Sequence, residues 1–124
     1  MKQKKQQQNR PTSARRLDVY SVTLELIRVC RPMTDRIRRF NKRTGDQFAE
    51  SLMSTLQNQN EGLRRTGRDR PHLLTVALGS CGEVRSILDG VAAFGVITVD
   101  EHLTADELAD RVCAMLYRLR EQSV

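Results

Sequence analysis

Four stretches of the chain repeat apolar residues at spacings of three and four, and no strand-type alternation separates them. The first, from about Asp18 to Phe40, carries Leu26, Cys30, Met33, Ile37 and Phe40, with Val19, Tyr20 and Val22 upstream. The second, from about Asp46 to Arg65, has Phe48, Leu52, Leu56 and Leu63 as its stripe, with the amide Gln59 where an apolar residue is expected. The third, from about Arg70 to Phe94, repeats Leu74, Ala77, Cys81, Val84, Leu88 and Val91. A second row, Leu73, Val76, Ser80 and Ile87, lies beside it. So wide an apolar face exceeds one partner helix and suggests burial against several, another subunit included. The fourth stretch carries Leu108, Val112, Met115 and Leu119 and ends near Glu121.

Turn and cap signals fall between these stretches. Asp18 suits the first helix start. Pro32 lies inside the first pattern and should kink the helix or split it near Cys30-Arg31. Asn41 to Gly45 reads as a turn, with Thr44 or Asp46 capping the next helix. In the following turn Gly67 suits a left-handed position, Asp69 an N-cap and Pro71 a first helical turn. Gly95 ends the third helix, with Val96 and Ile97 packing after it. Thr98–Glu101 and Thr104–Glu107 both have the capping-box spacing, and either could open the last helix. Four amphipathic helices joined by short turns predict an all-α, up-down-up-down antiparallel four-helix bundle over residues 17–124.

Charge changes the picture at the N-terminus. Residues 1–16 hold six basic residues, no acid and almost nothing apolar, which predicts a disordered basic tail. Residues 1–43 carry 13 Lys/Arg against 3 Asp/Glu, whereas residues 44–124 carry 8 against 12. The first helix concentrates Arg28, Arg31, Arg36, Arg38 and Arg39 away from its apolar stripe, followed by Lys42 and Arg43. A second cluster, Arg64, Arg65, Arg68 and Arg70, surrounds the next turn. Such a polarised chain suits a polyanion, which these eleven side chains would contact. With two Tyr, three Phe and no Trp there is no platform for base stacking, so the contacts would be to the backbone of RNA or DNA.

No stretch is long and apolar enough to span a membrane, and no signal-type apolar run follows the basic start. The three cysteines, Cys30, Cys81 and Cys113, are widely spaced and each falls on an apolar stripe, which predicts buried free thiols in a reducing cytoplasm. His72 and His102 have no metal-ligand spacing with them, and no Glu-x-x-His pair of a di-iron bundle is present. Phosphate loops, nucleophile elbows and HExxH are likewise missing, so neither enzyme chemistry, a cofactor nor a metal is expected.

The remaining anomalies are polar. Asn58, Gln59, Glu61, Ser80 and Glu83 lie on or near faces that should be packed, which predicts a polar seam between helices or subunits. Gly62, Gly79 and Gly82 interrupt helical patterns at about 1 kcal/mol each, which suggests close backbone approach in return.

These residues carry a resemblance. Gln47, Ser54, Asn58, Glu61 and Gly62, then Ala77, Leu78, Gly79, Ser80 and Glu83, match in order and spacing the pattern of the bacterial four-helix bundle protein family. That family includes proteins encoded in intervening sequences of large-subunit ribosomal RNA genes. It is related to the accessory variability determinant of diversity-generating retroelements. The likeness covers roughly residues 20–120. It departs at Glu50, where the family has Arg, and at Gln59-Asn60, which replace an apolar-Ala pair. The resemblance implies a ring-shaped homo-oligomer, typically a homopentamer, without catalysis. Its retroelement relatives imply nucleic acid and a reverse transcriptase as partners. The function expected is therefore a non-enzymatic oligomeric nucleic-acid-binding scaffold, an accessory protein of a reverse transcriptase or mobile element. The alternative is a protein–protein adaptor that binds an acidic partner surface without nucleic acid.

Overall fold

The structure, a computed structural model, describes residues 12–123. It consists of four helices: α1 (Thr12–Phe40), α2 (Lys42–Arg64), α3 (Asp69–Ala93) and α4 (Val99–Glu121). Among the described residues there is no strand. Each helix packs on the next, and α1 closes the set against α4. Side-chain bonds across the interfaces fix antiparallel registers. Thr23 meets Gln59 and Arg38 meets Asp46 between α1 and α2. Gln47 meets Glu83 and Ser54 meets Ser80 between α2 and α3. Arg85 meets Asp106 and Arg120 meets Thr75 between α3 and α4.

The core follows the predicted stripes. Leu26, Cys30, Ile37, Phe48, Leu74, Val84, Leu88, Val112 and Leu116 are all inaccessible to solvent. Phe48 is the only aromatic among them; the rest of the interior is aliphatic, with two thiols and the buried polar side chains of Thr23, Ser51, Thr55 and Gln59. Three stripes differ from expectation: at the end of α1 Phe40 is exposed, and in α4 Leu108 and Met115 are only half-buried whereas Ala105, Ala109 and Leu116 are buried. In α2, Thr55 is buried where Leu56 was expected, and Leu56 is only half-buried. Thr55 tolerates the core because its hydroxyl donates to the Ser51 carbonyl at 2.8 Å.

Three boundaries also differ. Helix α1 begins at Thr12, six residues before Asp18, and so takes in the last residues assigned to the tail; residues 1–11 lie outside the described part. It runs through Pro32 without being split, and Pro32 stands exposed. Helix α2 begins at Lys42 and not Asp46, because Asn41 alone forms the turn. The Asn41 side-chain oxygen accepts from the Thr44 N–H at 2.9 Å, the N-cap bond that had been assigned to Thr44 or Asp46. Gly45 then falls inside α2, where a Cβ would sit 2.6 Å from the Arg38 Cα. Only glycine permits so tight a junction. Asp69 is the first residue of α3, with Arg68 at the cap position.

The glycine signals of the other two turns hold. Gly67 and Gly95 have φ of 66° and 75°, and no other described residue is left-handed. The Val96 N–H reaches the Val91 carbonyl and the Gly95 N–H the Ala92 carbonyl, both at 2.9 Å, a Schellman ending with Val96 and Ile97 turned inward. Of the two capping boxes, Thr98–Glu101 is the one used. Glu101 N–H donates to Thr98 Oγ1 at 3.1 Å, and Thr98 N–H donates to the Glu101 carboxylate at 2.8 Å.

Candidate nucleic-acid interface and polar seam

The polar seam lies between α2 and α3. Glu83 accepts from Gln47 and from the Ser51 hydroxyl, each at 2.8 Å. One turn along, Ser54 and Ser80 share a 2.7 Å hydrogen bond. Asn58 donates to both the carbonyl and the hydroxyl of Ser54. Three of the five predicted seam residues, Asn58, Ser80 and Glu83, therefore belong to two hydrogen-bonded sets that lie one turn apart along the α2–α3 interface. Their partners Gln47, Ser51 and Ser54 complete them. These side chains border a shallow open groove that also touches Arg38, Asp46, Glu50 and Gln57.

Two predicted members lie elsewhere. Glu61 is on the exposed side of α2, where Arg65 holds it at 2.6 Å and Arg64 approaches to 3.8 Å. Those cations, Arg65 first, hold its carboxyl below the usual range. Gln59 is fully buried and faces α1, where its amide meets the Thr23 hydroxyl at 2.8 Å. That hydroxyl has one proton and is also 2.8 Å from the Val19 carbonyl. Donating to Val19, it is free to accept from the Gln59 amide nitrogen. In either orientation one polar end of Gln59 has no protein partner among the described residues.

The predicted glycine contacts divide the same way. Gly62 is packed, with Leu73 Cβ 3.1 Å from where its own Cβ would stand. Gly79 and Gly82 have nothing within 4 Å of that position. Both are exposed on the outer face of the α2–α3 pair, near the exposed Met53 and Val76. The backbone approach expected there does not occur within one chain.

The eleven predicted cations separate into structural and available groups. Arg36 forks onto Glu101 of α4 at 2.8 and 2.6 Å, and that fork, with the Thr98 N–H, pulls the Glu101 carboxyl down to about 2. Arg38 and Lys42 both hold Asp46, at 2.8 Å each, and Arg38 also reaches Asp35. The Lys42 and Arg38 bonds lower the Asp46 carboxyl. Arg64 and Arg65 share Glu61, and Arg28 makes a looser 3.7 Å contact with Glu25. Arg70 donates to Ser123 at 2.8 Å. By contrast, Arg31, Arg39, Arg43 and Arg68 are exposed and have no ion pair among the described residues.

Position divides the cations again. Arg39 and Arg43 flank the α1–α2 turn, whereas Arg64 to Arg70 surround the α2–α3 turn. The 23 residues of α2 separate the two turns by about 35 Å. The two clusters are thus at opposite ends of the bundle and not one continuous patch. The α2–α3 turn lies at the end where α1 begins, and so where the basic N-terminal segment enters. Arg111 and Arg118, which no sequence pattern singles out, are also exposed and have no ion pair among the described residues, on a helix otherwise rich in acids. Arg85, likewise unmarked in the sequence, bridges α3 to α4 through Asp106 at 2.9 Å and Asp110 at 3.0 Å.

A further exposed feature is apolar. Phe40 stacks on Phe94 with ring centroids 5.1 Å apart, and Phe94, Val99 and Leu103 all project into solvent near the α3–α4 turn. Among the described residues no helix is long and apolar enough to cross a membrane.

No family model matches the chain, and no curated protein matches it. Among solved structures it is similar to a protein of unknown function from the S23 ribosomal protein family of Bacteroides thetaiotaomicron, with a TM-score of 0.72. The two are 18% identical, and the match covers 82% of this chain and 97% of the other. The likeness is one of fold: small and all-helical.

Proposed function

We propose that the protein is a non-enzymatic, homo-oligomeric scaffold that binds the backbone of RNA or DNA through its exposed arginines. The observation that carries this reading is the exposure of Arg31, Arg39, Arg43 and Arg68 with no ion pair to a carboxylate among the described residues. A cation without an intramolecular partner engages a phosphate without first breaking an ion pair, and each such contact releases counterions. Arg28, Arg64, Arg65 and the basic residues of the N-terminal segment extend the field around them. The name of the structural neighbour's family, S23 ribosomal protein, is in keeping with an RNA association.

Self-association rests on the outer α2–α3 face. Met53, Val76, Gly79 and Gly82 are exposed there, and the two glycines weaken α3 without receiving any contact in return. A ring of five copies is the arrangement that the family resemblance implies. It would repeat the arginine field around an axis and add weak phosphate contacts by avidity. A reverse transcriptase or another mobile-element protein is the partner class that the same resemblance implies. Cytoplasmic residence agrees with three free thiols.

A second reading has its own observation. The exposed Phe40, Phe94, Val99 and Leu103 beside Arg39 and Arg43 suit an adaptor that docks an acidic, partly apolar protein surface. Binding of labelled RNA and duplex DNA across a salt series separates the two. A logarithmic affinity that falls linearly with logarithmic salt supports the scaffold, and its slope counts the phosphates engaged. Deleting residues 1–11 divides that slope between the N-terminal segment and the bundle. Absence of binding at low salt would overturn the scaffold reading and leave the adaptor.

A further inference from the structure

Arg85 and its two aspartates border a pair of cysteines that the proposed function does not use. Cys81 on α3 is fully buried, and its thiol donates to the Ala109 carbonyl of α4 at 3.5 Å. In α4 the N–H four residues after Ala109 is that of Cys113, so the Cys81 sulfur shares a carbonyl with the Cys113 backbone. The two thiols are therefore neighbours across the α3–α4 crossing, and Cys113 is only half-buried. Small buried residues, Ala77 on α3 and Ala105 and Ala109 on α4, let the helices approach closely at this crossing. Close approach is what a disulfide between two helices requires.

We propose that Cys113 and Cys81 form a peroxide-reactive dithiol site, in which Cys113 is oxidised and Cys81 resolves it to an α3–α4 disulfide. The Cys113 thiolate attacks one oxygen of hydrogen peroxide. The O–O bond breaks, an S–O bond forms, and the departing hydroxide takes the thiol proton to give water. The Cys81 sulfur then attacks the Cys113 sulfenic acid. An S–S bond forms, the S–O bond breaks, and the second oxygen leaves as water with the Cys81 proton. Two thiols are oxidised by two electrons, and one peroxide is reduced to two waters.

The surroundings divide the roles. Cys113 is held down at about 7, by the neighbouring Cys81 thiol first and then by the Arg85 guanidinium, against burial and the Asp110 carboxylate. Cys81 is pushed up by the neighbouring Cys113 first and then by burial, with a smaller push from Cys30 of α1. Cys30 is buried without a cation and is raised to about 12. The half-buried thiol of low proton affinity is thus the attacking one, and the enclosed thiol can reach it only from within the core.

The test is peroxide treatment of the full chain at neutral pH, read by intact mass and peptide mapping. The wild type should lose two hydrogens and yield a Cys81–Cys113 cross-linked peptide, with Cys30 still alkylatable after denaturation. Cys81→Ser should stop at a Cys113 sulfenic acid that a dimedone probe captures, and Cys113→Ser should lose the reaction. Helicity by circular dichroism checks that each variant is folded. Alkylation of Cys113 in the wild type should titrate near pH 7, well below an ordinary thiol. A disulfide between chains, a cross-link through Cys30, or a Cys113 no faster than the same thiol in the urea-unfolded chain would overturn the assignment.

Discussion

The α3–α4 side of the bundle and the outer face of α1 both carry arginines, yet the two have opposite electrostatics. On the α3–α4 side Arg85 forks onto Asp106 and reaches Asp110, and His102 meets Asp89 at 2.8 Å. Arg85 itself is raised, by Asp106 first, as a guanidinium with its counter-charge in place should be. Along α1, Arg31 and Arg39 have no such partner, nor does Arg43 just beyond the turn. The same residue type closes one interface and leaves a field open on another. The difference lies in what the neighbouring helix presents: α4 offers acids at the right height, whereas among the described residues no carboxylate pairs with Arg31 or Arg39 on the outer side of α1.

The strongest way to break this comparison is to reverse the open charges. Replacing Arg31, Arg39 and Arg43 together by Glu should lower nucleic-acid affinity by about 100-fold or more near 0.1 M salt, since three phosphate contacts are lost. Thermal stability should barely change, because no ion pair is removed. Fluorescence anisotropy beside a melting curve reads both. An affinity left intact would move the interface to the α2–α3 end and the N-terminal segment.

Arg85→Gln sharpens the other side. It leaves Asp106 and Asp110, one turn apart on α4, without their shared cation at a partly buried interface, and the expected loss is about 1–2 kcal/mol after allowing for solvent screening. Urea unfolding measures it. Nucleic-acid affinity should stay within about twofold, so a large drop in binding by a folded variant would contradict the division between closed and open arginines.

Arg36 belongs to the closed class although it lies on α1, and acid reveals it. The Glu101 carboxyl is at about 2 in the folded chain and near 4.5 when unfolded, so it is the depressed case. Its contribution is complete above the unfolded value and is lost as pH falls from about 4.5 through about 2. With both side chains about one-third exposed, roughly 1 kcal/mol is at stake. Glu101→Gln should flatten that part of the stability–pH curve, and an unchanged acid limb would show that the fork does not hold α1 to α4.

How far the sequence anticipates these results depends on distance along the chain. The stripe of α3 is legible because a 3-4 repeat is a local property, whereas in α4 the buried face is set by Ala105, Ala109 and Leu116 and not by the bulkier Leu108 and Met115. The seam residues Ser80 and Glu83 stand out because polar groups interrupt the α3 repeat. Their partners Gln47 and Ser51 do not, since pairing needs the register of α2 against α3. Asn41-Lys42-Arg43-Thr44-Gly45 resembles a turn, yet only Asn41 is one. Gly45 is there to let α2 cross the Arg38 backbone, a tertiary requirement that a local rule reads as a break. Likewise, eleven cations can be counted in the sequence, but that Arg36 is consumed by Glu101, 65 residues away, cannot.

The smallest predicted effect probes the open side of α3. At Gly82 an added methyl group meets nothing within 4 Å, and the residue lies mid-helix and exposed. For an isolated chain Gly82→Ala should therefore be stabilising by about 0.5–1 kcal/mol, the ordinary helix preference. If copies associate through this face, the same methyl group enters a contact between backbones and weakens assembly. Sedimentation and thermal melting of Gly79→Ala and Gly82→Ala read the two effects separately. Higher melting with an unchanged sedimentation coefficient would take the glycines out of any interface. A smaller species would place the self-association surface on α3, on a different face of the bundle from the unpaired arginines of α1.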